Sequence, residues 1–190
     1  MAIPASPWVA NDYERWLEAG IHIVTPNKRA NTGKIEMYRS IRKPRIRGAQ
    51  YFYETTVGAG LPIIQTLREL IQTGDKVLRI EGILSGTLSY LFNLYDGQTP
   101  FSELVRQARA MGYTEPDPRD DLSGMDVARK VVILGREIGL EIGLEDVRVD
   151  GLIPDGLVDV DLEEYMSRLH ESDAEMHQLF TQAKAENKVL

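Results

Sequence analysis

Apolar residues in the first part of the chain recur at the spacings of a short helix and a short strand. Tyr13, Trp16 and Leu17 lie at helical spacing. Gly20 follows them and precedes the apolar run 21–24. Because glycine commonly ends a helix by adopting the left-handed backbone conformation, the pattern predicts a helix, a turn and a strand in that order.

Helical and strand-like patterns continue to the end of the chain. The polar and basic stretch 33–47 predicts a helix that is broken at Pro44. Apolar spacing and turn residues then predict strands at 51–56 and 76–84, and helices at 62–73, 88–95, 101–111, 124–138 and, for the most part, 162–187. The chain therefore mixes short strands with a larger number of helices.

Composition excludes several classes of function. The chain has no cysteine, so disulfides, thiolate catalysis and cysteine-ligated metals are excluded. Its net charge is −7, and no long run of lysine and arginine would attract nucleic acid or an anionic membrane. No apolar stretch reaches the roughly 20 residues of a membrane helix. We expect a cytoplasmic protein whose partners are small molecules or proteins, with no nucleic acid or membrane among them.

A polar loop, Thr25-Pro26-Asn27-Lys28, follows the first predicted strand. Open α/β sheets bind their ligands at the carboxyl ends of strands, so Lys28 is a candidate for the functional site. The three histidines have no metal-ligand spacing, and we assign them no role. The search for chemistry therefore concentrates on lysines, carboxylates and glycine turns.

The glycine turn 58–60 stands between a predicted strand and a predicted helix, as in a dinucleotide-binding fingerprint. The third glycine of that fingerprint is missing, because Ile63 stands three residues after the turn. We therefore interpret the segment as a tight turn before a helix that begins at Pro62. The alternative is an oxygen cage for a hard cation, formed by exposed carbonyls of the turn and by Glu54.

Acidic side chains are concentrated in the loop 112–123 and the start of the next helix. Five carboxylates fall within twelve residues of one another: Glu115, Asp117, Asp120, Asp121 and Asp126. Carboxylates this close raise one another's pKa values unless a cation compensates them, so the loop is a candidate for binding a substrate amine. The alternative is a solvated loop that is neutralised by Arg119, Arg129 and Lys130.

Asp126 and Lys130 stand four residues apart and therefore on one face of the predicted helix. A surface pair of this kind contributes roughly 0.2–0.5 kcal/mol to helix stability. The apolar neighbours Val127, Val131 and Leu134 indicate partial burial instead, which lowers the pKa of a lysine toward its working range. Spacing alone leaves both interpretations open.

Three sequence blocks resemble, in order, the signature blocks of homoserine dehydrogenases. They are YETTVGAGLP at 53–62, GILSGT at 82–87, and GYTEPDP at 112–118 with its continuation to Asp126 and Lys130. The TPNK block at 25–28 resembles a fourth, and the resemblance runs from about residue 11 to residue 154. The residues of these blocks are most similar to those of the bifunctional aspartokinase–homoserine dehydrogenases. The resemblance implies an oxidoreductase that interconverts L-homoserine and L-aspartate 4-semialdehyde with NAD(P), in threonine and methionine biosynthesis.

The resemblance also implies roles for the matching residues. Lys130 would transfer the proton at the substrate hydroxyl, and Asp126 would hold and tune it. Lys28 would lie between cofactor and substrate and could share the proton transfer. Gly112 would lie against the cofactor. The sequence offers no means of choosing between the two lysines.

Substrate and cation ligands follow from the same resemblance. Four residues would surround the substrate, two at its ammonium group and two along the pocket: Glu115 and Asp121, then Thr87 and Tyr113. A monovalent cation such as sodium would be held by one side chain and three main-chain carbonyls: Glu54, then Val57, Ala59 and Leu61. The cation ligands agree with the oxygen cage considered above.

We expect an α+β fold, a mixed β-sheet covered by helices. Residues 1–48 would be the remnant of a Rossmann-type dinucleotide-binding domain, and residues 49–190 a catalytic and dimerisation domain. The glycine-rich phosphate loop of the family is missing from the sequence, and residues 187–190 resemble the entry to a strand that is cut off. The sequence therefore predicts a fragment of a homodimeric enzyme, truncated at both ends, with very weak or no activity by itself.

Two other classes of protein fit parts of the same sequence. A non-catalytic module would keep the amino-acid pocket and the dimer surface but no cofactor site. A helical interaction domain would account for the polar helices and the acidic tail alone. The enzyme requires Lys28, Glu115, Asp126 and Lys130 to converge on one pocket, whereas the interaction domain predicts scattered side chains and an exposed apolar face.

Overall fold

The computed structural model of the chain describes residues 8–43 and 48–190. The chain divides into two compact units, each built from two stretches of sequence. Unit 1 contains Met1–Leu84 and Val127–Arg148, and unit 2 contains Ser85–Asp126 and Val149–Leu190. These units reflect packing, and the boundary at residue 48 between a Rossmann remnant and a catalytic domain stays a prediction.

Helices dominate the described residues. Strands β1 (Ile23–Val24) and β2 (Tyr51–Phe52) pair in parallel. The α-helices are, in chain order, α1 (Tyr13–Glu18), α2 (Arg29–Thr32), α3 (Ile35–Arg42), α4 (Ile63–Gln72), α5 (Gly86–Leu94), α6 (Phe101–Ala110), α7 (Arg119–Leu122), α8 (Met125–Glu137), α9 (Leu162–Arg168) and α10 (Asp173–Ala185). The fold is α+β, which confirms the predicted class. None of the helices in the described residues is long and apolar enough to cross a bilayer.

Local signals in the sequence explain where several helices begin and end. The glycine after α1, Gly20, has a φ of 86°, the left-handed conformation that ends a helix. The Ser85 side chain accepts a hydrogen bond from the Leu88 amide at 3.2 Å, and this cap starts α5 at Gly86. Helix α3 ends at Arg42, and the predicted break at Pro44 lies outside the described residues.

The strand predicted at 76–84 does not form, and that prediction was wrong. The segment has no regular secondary structure, and its side chains Leu78 and Ile83 are 87% and 77% exposed. A strand is stable only where a neighbour pairs with its N–H and C=O groups, and neither described strand pairs with this segment. For the same reason the sheet of the described residues has two strands where the sequence indicates a larger, mixed one.

The strand predicted at 51–56 is shorter than expected. It ends at Phe52, because a 3-10 turn at Glu54–Thr56 follows almost at once. The Thr56 hydroxyl donates to the Tyr53 carbonyl at 2.7 Å and stabilises that turn. The hydroxyl thereby gives the backbone a local alternative to strand pairing.

Each unit has its own buried side chains. In unit 2, Phe101, Tyr165 and Leu91 are fully buried in one cluster. Unit 1 has two clusters, one around Tyr13 and one around Ile64. A buried side chain of this size contributes roughly 1.5–3 kcal/mol through the removal of apolar surface from water. These clusters hold the loops that carry the polar residues of interest.

Candidate active site

Asp121, on the short helix α7, is the centre of a hydrogen-bond network in unit 2. Its Oδ1 lies 2.8 Å from the Thr87 hydroxyl, and its Oδ2 accepts from the Glu115 amide at 2.8 Å. The Thr87 hydroxyl also lies 2.9 Å from the Tyr113 carbonyl oxygen. Since a hydroxyl has one hydrogen, Thr87 donates to one of these two acceptors at a time. The network brings together all four residues predicted to bind the substrate.

The network presents two kinds of group to a ligand. Glu115 is exposed, and Tyr113 is 53% exposed with its ring against the edge of Tyr90, at 4.8 Å between centroids. Oδ2 of Asp121 accepts from the Glu115 amide and Oδ1 shares the Thr87 hydroxyl with the Tyr113 carbonyl, so each oxygen keeps a lone pair for a ligand. Unit 2 therefore offers two carboxylates and an aromatic wall within one loop, which is a suitable environment for an ammonium group.

Asp117 has a different part in the acidic loop. Its carboxylate pairs with Arg119 at 2.6 Å, and the hydrogen bonds from Arg119 lower the pKa of Asp117 below its ordinary value. The Arg119 guanidinium also donates to the carbonyl of Val160 at 2.6 Å and lies 5.0 Å from the ring centroid of Tyr165. The alternative considered for the whole loop, neutralisation by a basic side chain, therefore holds for Asp117.

Lys130 is half-buried on α8, in unit 1. Its Nζ donates to the main-chain oxygen of Leu84 at 2.5 Å. Asp126 is also half-buried and lies one turn earlier on the same helix. The partial burial predicted from the neighbouring apolar residues is confirmed, and the amine has a fixed acceptor on the main chain.

Lys28 stands directly before α2, in a loop that its neighbours hold firmly. The Tyr13 hydroxyl lies 3.0 Å from the hydroxyl of Thr25, which accepts from the Asn27 amide at 3.0 Å. The Asn27 side chain in turn accepts from the Arg29 amide at 2.9 Å. Lys28 is half-buried at the end of this chain of bonds. The loop after β1 is therefore a rigid support for a lysine side chain.

Glu54 binds the N-terminus of helix α4. Its Oε1 accepts from the Ile64 amide at 2.8 Å, and its Oε2 accepts from the Gln65 amide at 3.0 Å. Gly58 and Ala59, with φ of 77° and 50°, form the turn before the helix. This carboxylate occupies the amide groups that bind a pyrophosphate in a dinucleotide fingerprint. The interpretation of the segment as a tight turn before a helix is confirmed.

Two of the four proposed cation ligands, Glu54 and Leu61, already accept hydrogen bonds within the protein. The Leu61 carbonyl accepts from the Ile63 amide at 2.9 Å, and Glu54 is engaged with α4. Within residues 8–43 and 48–190, no group of three acidic or histidine side chains could hold a metal. A cage of main-chain carbonyls is a different kind of site, so the ligand set of Glu54, Val57, Ala59 and Leu61 stays a prediction.

Sequence reasoning missed Arg136, a buried charged residue that contacts the segment following Lys28. It is 5% exposed, and its Nη1 donates to the carbonyls of Asn31 and Gly33 at 2.8 and 2.9 Å. Its signal in the sequence is an arginine that follows a run of apolar residues on α8. A charged residue within a buried helix face indicates a specific partner, because an unpaired buried charge is costly.

The predicted residues are distributed over both units. Unit 1 contains Lys28 and Lys130, and unit 2 contains the substrate network, Gly112 and Asp126. The predicted roles, an amine-binding acidic loop and two lysines for proton transfer, stay predictions. The family model described as homoserine dehydrogenase matches residues 62–190. The chain belongs to the homoserine dehydrogenase family.

Relatives and solved structures agree with this assignment. The chain is 53% identical over 184 residues to the bifunctional aspartokinase/homoserine dehydrogenase 2 of Zea mays, covering 96% of the chain and 20% of that protein. It is 45% identical over 192 residues to the homoserine dehydrogenase of Saccharomyces cerevisiae, covering 98% of the chain and 54% of that protein. The chain thus spans about a fifth of the bifunctional relative and about half of the yeast enzyme.

Two solved structures show the same fold. A Candida auris protein of unknown function is 44% identical with a TM-score of 0.90, covering 98% of this chain and 54% of that one. A mutant of a hyperthermophilic archaeal homoserine dehydrogenase, in complex with NADPH, is 28% identical with a TM-score of 0.61. The match covers 74% of this chain and 46% of the archaeal chain. The fold is therefore shared beyond the curated relatives.

Proposed function

We propose that the protein to which this chain belongs catalyses the NAD(P)-dependent interconversion of L-homoserine and L-aspartate 4-semialdehyde, in threonine and methionine biosynthesis. The observation that carries the proposal is the network of Thr87, Tyr113, Glu115 and Asp121. The network lies wholly within the region that matches the family model. Family membership supplies the reaction, and the network supplies a place for an amino-acid substrate.

In this proposal the acidic loop binds the ammonium group of homoserine. Glu115 is exposed and Asp121 is held by Thr87, so one carboxylate is available and the other is already oriented. Hydrogen bonds between an ammonium group and carboxylates are about twice as strong as neutral ones. Tyr113 lines the pocket beside them. The loop therefore selects for a substrate with a free amine.

Lys130 and Lys28 handle the proton of the substrate hydroxyl. A neutral lysine amine accepts a proton from a hydroxyl within hydrogen-bond reach. The bond from Lys130 to the Leu84 carbonyl fixes the direction of the amine, and Asp126 lies one turn away on α8. Lys28, on its rigid loop, shares or performs the transfer.

A nicotinamide dinucleotide supplies the acceptor or donor of the hydride when it is bound. The glycine turn before α4 does not fit its phosphates, because Glu54 already occupies the helix N-terminus. We therefore assign to this chain only the residues that border the cofactor, Lys28 and Gly112. The bound NADPH of the archaeal structure supports NADP as the cofactor type.

Further assignments belong to the same proposal. A sodium-type cation would share Glu54 with α4 and use the carbonyls of Val57, Ala59 and Leu61. Residues 1–48 would be a Rossmann remnant, and their strand β1 pairs in parallel with β2, which begins three residues after this boundary. The lack of cysteines is compatible with the cytoplasm, whereas the maize and Arabidopsis relatives are named as chloroplastic. We also propose a homodimer.

Calorimetric titration of L-homoserine and, separately, NADPH into the purified chain tests the proposal. We expect L-homoserine to bind and NADPH to be silent, because the chain has a substrate network but its glycine turn does not fit phosphates. Lys130→Ala should weaken homoserine binding, and Glu115→Gln should weaken it about tenfold, equivalent to about 1.4 kcal/mol.

Matched controls in this titration are exposed residues away from the network. Lys76→Ala and Glu103→Gln change a lysine and a glutamate that are exposed, and both should leave homoserine binding unchanged. Failure of the wild-type chain to bind L-homoserine would argue against a substrate pocket in this chain. Equal weakening of homoserine binding by Glu115→Gln and Glu103→Gln would show that the loss of affinity comes from net charge and not from a contact with Glu115.

A further inference from the structure

We propose that Arg136 is a positioning residue, which holds the loop of Lys28 in a fixed place against helix α8. The proposal rests on the function proposed above, in which Lys28 and Lys130 handle the substrate proton. It adds a third residue, which touches neither substrate nor cofactor. All three residues lie in unit 1.

The contacts of Arg136 run to the far end of the short helix that Lys28 begins. Its Nη1 donates to the carbonyls of Asn31 and Gly33 at 2.8 and 2.9 Å, and its Nε donates to the carbonyl of Ile142 at 2.7 Å. Lys28 is the N-cap residue of α2, and Asn31 and Gly33 lie at and just beyond its last turn. Arg136 therefore holds α2 at the end opposite to Lys28.

Helix α2 needs such an anchor because it is too short to be stable by itself. It has four residues, and isolated helices below about 12 residues are marginal in water. The last carbonyls of a helix carry partial negative charge and lack partners within the helix, so a guanidinium stabilises them. Arg136 supplies this charge from another helix, α8.

The burial of Arg136 argues that it has a specific task. Burial lowers the pKa of Arg136 from its ordinary value, and its three hydrogen bonds all go to main-chain carbonyls. Its guanidinium lies 5.2 Å from the ring centroid of Tyr38. An apolar side chain would fill a buried position at lower cost but would leave these carbonyls without a donor. The arginine is thus explained by the loop that it holds.

Helix α8 links this clamp to the second lysine. Lys130 precedes Arg136 by six residues, which is about 9 Å along a helix axis. The clamp therefore fixes the Lys28 loop to the same rigid element that carries Lys130. Because a misplacement of about 1 Å in a catalytic group can reduce a rate about 100-fold, such a clamp matters for proton transfer.

Glu137 is the matched control that the chain offers. Its side chain is 1% exposed, and its carboxylate binds Arg42 at 2.9 Å, Arg68 at 2.8 Å and the Tyr53 hydroxyl at 2.6 Å. These contacts tie α8 to α3 and α4, whereas those of Arg136 tie it to α2. Adjacent buried ionic residues on one helix thus have separate partners.

The first experiment compares Arg136→Met with Glu137→Gln in the 190-residue chain by amide hydrogen exchange. Arg136→Met should speed the exchange of the amides of Thr32 and Gly33 about tenfold or more, because their helical hydrogen bonds open more often. Glu137→Gln should speed exchange in α3 and α4 and leave α2 near the wild-type rate. Equal exchange of α2 in both variants would overturn the proposal.

The second measurement follows the accessibility of Lys28 through its competitive acetylation, with the exposed Lys76, outside the segment that Arg136 holds, as the internal reference. Arg136→Met should raise the relative rate at Lys28 about threefold or more, since a released loop exposes its half-buried amine. Arg136→Lys should restore part of the wild-type rate, and millimolar guanidinium should do the same for Arg136→Ala. An unchanged Lys28 rate in Arg136→Met would overturn the positioning role.

The exchange and acetylation results test the role of Arg136 independently of the proposed function. Calorimetry with L-homoserine decides whether the substrate network binds its ligand, and the exchange and acetylation rates decide whether Arg136 holds the Lys28 loop. A chain that fails to bind homoserine but responds to Arg136→Met as described would keep the clamp and lose the proposed reaction.

Discussion

Asp117 and Arg119 stand two residues apart in the acidic loop and form a tight ion pair. The Asp117 carboxylate accepts hydrogen bonds from the Arg119 side chain at 3.0 and 2.6 Å. These bonds lower the pKa of Asp117 below its ordinary value. The ionised form therefore stabilises the folded state, and this contribution must depend on pH.

Asp117→Asn should lower the free energy of unfolding by about 1 kcal/mol near neutral pH. Because the folded-state pKa is depressed, the contribution is fully present above the unfolded pKa of about 4 and is lost as the pH falls through the folded value. Urea denaturation at a series of pH values measures it. The stability curves of wild type and variant should converge in acid.

Asp120→Asn is the control for this effect, since Asp120 is an exposed carboxylate of the same loop. It should change the free energy of unfolding by less than about 0.5 kcal/mol. A constant gap between wild type and Asp117→Asn across the acid range would contradict the assignment of an ionised Asp117 to the fold.

The candidate site residues were chosen from the sequence, whereas their hydrogen-bond partners are seen only in the structure. The sequence singles out five clustered carboxylates and leaves two interpretations open, an amine-binding loop or a loop neutralised by basic side chains. In the structure Asp117 is neutralised by Arg119, and Asp121 is bonded to Thr87. Thr87 and Asp121 are 34 positions apart in the chain. Spacing along the chain therefore does not reveal that they are hydrogen-bond partners.

At the scale of elements, Glu54 and helix α4 illustrate how a turn is stabilised. The carboxylate binds the first free amides of the helix, and negative charge is favourable at this end of the helix dipole. The same residue is the predicted side-chain ligand of a cation. Stabilisation of the helix end does not depend on sodium, whereas the predicted role as a cation ligand does.

Glu54→Ala should lower the free energy of unfolding by about 1 kcal/mol, because the Ile64 and Gln65 amides lose their acceptor. Glu54→Gln keeps an acceptor without the charge and should lose less. Urea denaturation measures both changes. A loss in Glu54→Gln as large as in Glu54→Ala would show that charge, and not hydrogen bonding, dominates at this cap.

Sodium tests the second role of Glu54. If a sodium-type cation shares the carboxylate, replacing choline by sodium at constant ionic strength should raise the melting temperature of the wild type and not that of Glu54→Ala. Potassium serves as the comparison cation. An equal response of both proteins to sodium would contradict the proposed cage of Glu54, Val57, Ala59 and Leu61.

The bounds of several helices were predicted within one or two residues. The sequence predicts helices at 62–73, 101–111 and 124–138, and the structure has Ile63–Gln72, Phe101–Ala110 and Met125–Glu137. These helices have turn residues at their ends and apolar positions at helical spacing, which are local properties. The strand at 76–84 failed because pairing is not a local property.

At the scale of the whole molecule, the segment 76–84 leaves apolar side chains in solvent. Leu78, Ile80 and Ile83 are 87%, 42% and 77% exposed. Exposed apolar side chains on an extended, unpaired segment are typical of surfaces that associate. This observation supports the proposed homodimer.

Sedimentation velocity should therefore give about twice the chain mass of 21.4 kDa at micromolar concentration. Ile83→Asp should shift the chain to the monomer, because a charged group would be buried in the interface. Val189→Asp, at a position that is 93% exposed outside this segment, is the control and should leave the mass unchanged. A wild-type monomer throughout the accessible concentration range would refute the homodimer.

The sequence by itself determined the elements with local signals and the identity of the chemical groups. Caps, glycine stops and helical spacing act over a few residues, so they can be read directly along the chain. The motif blocks gave the family, which the comparisons confirm. The α+β class followed from the same signals.

Only the tertiary structure decided which groups meet. It placed the Asn31 and Gly33 carbonyls on Arg136, more than a hundred residues away, and the Lys130 amine on the Leu84 carbonyl. It also left residues 76–84 without a partner strand. The physical reason is that hydrogen bonds and ion pairs depend on distances in space, which the folded core sets and the order of residues does not.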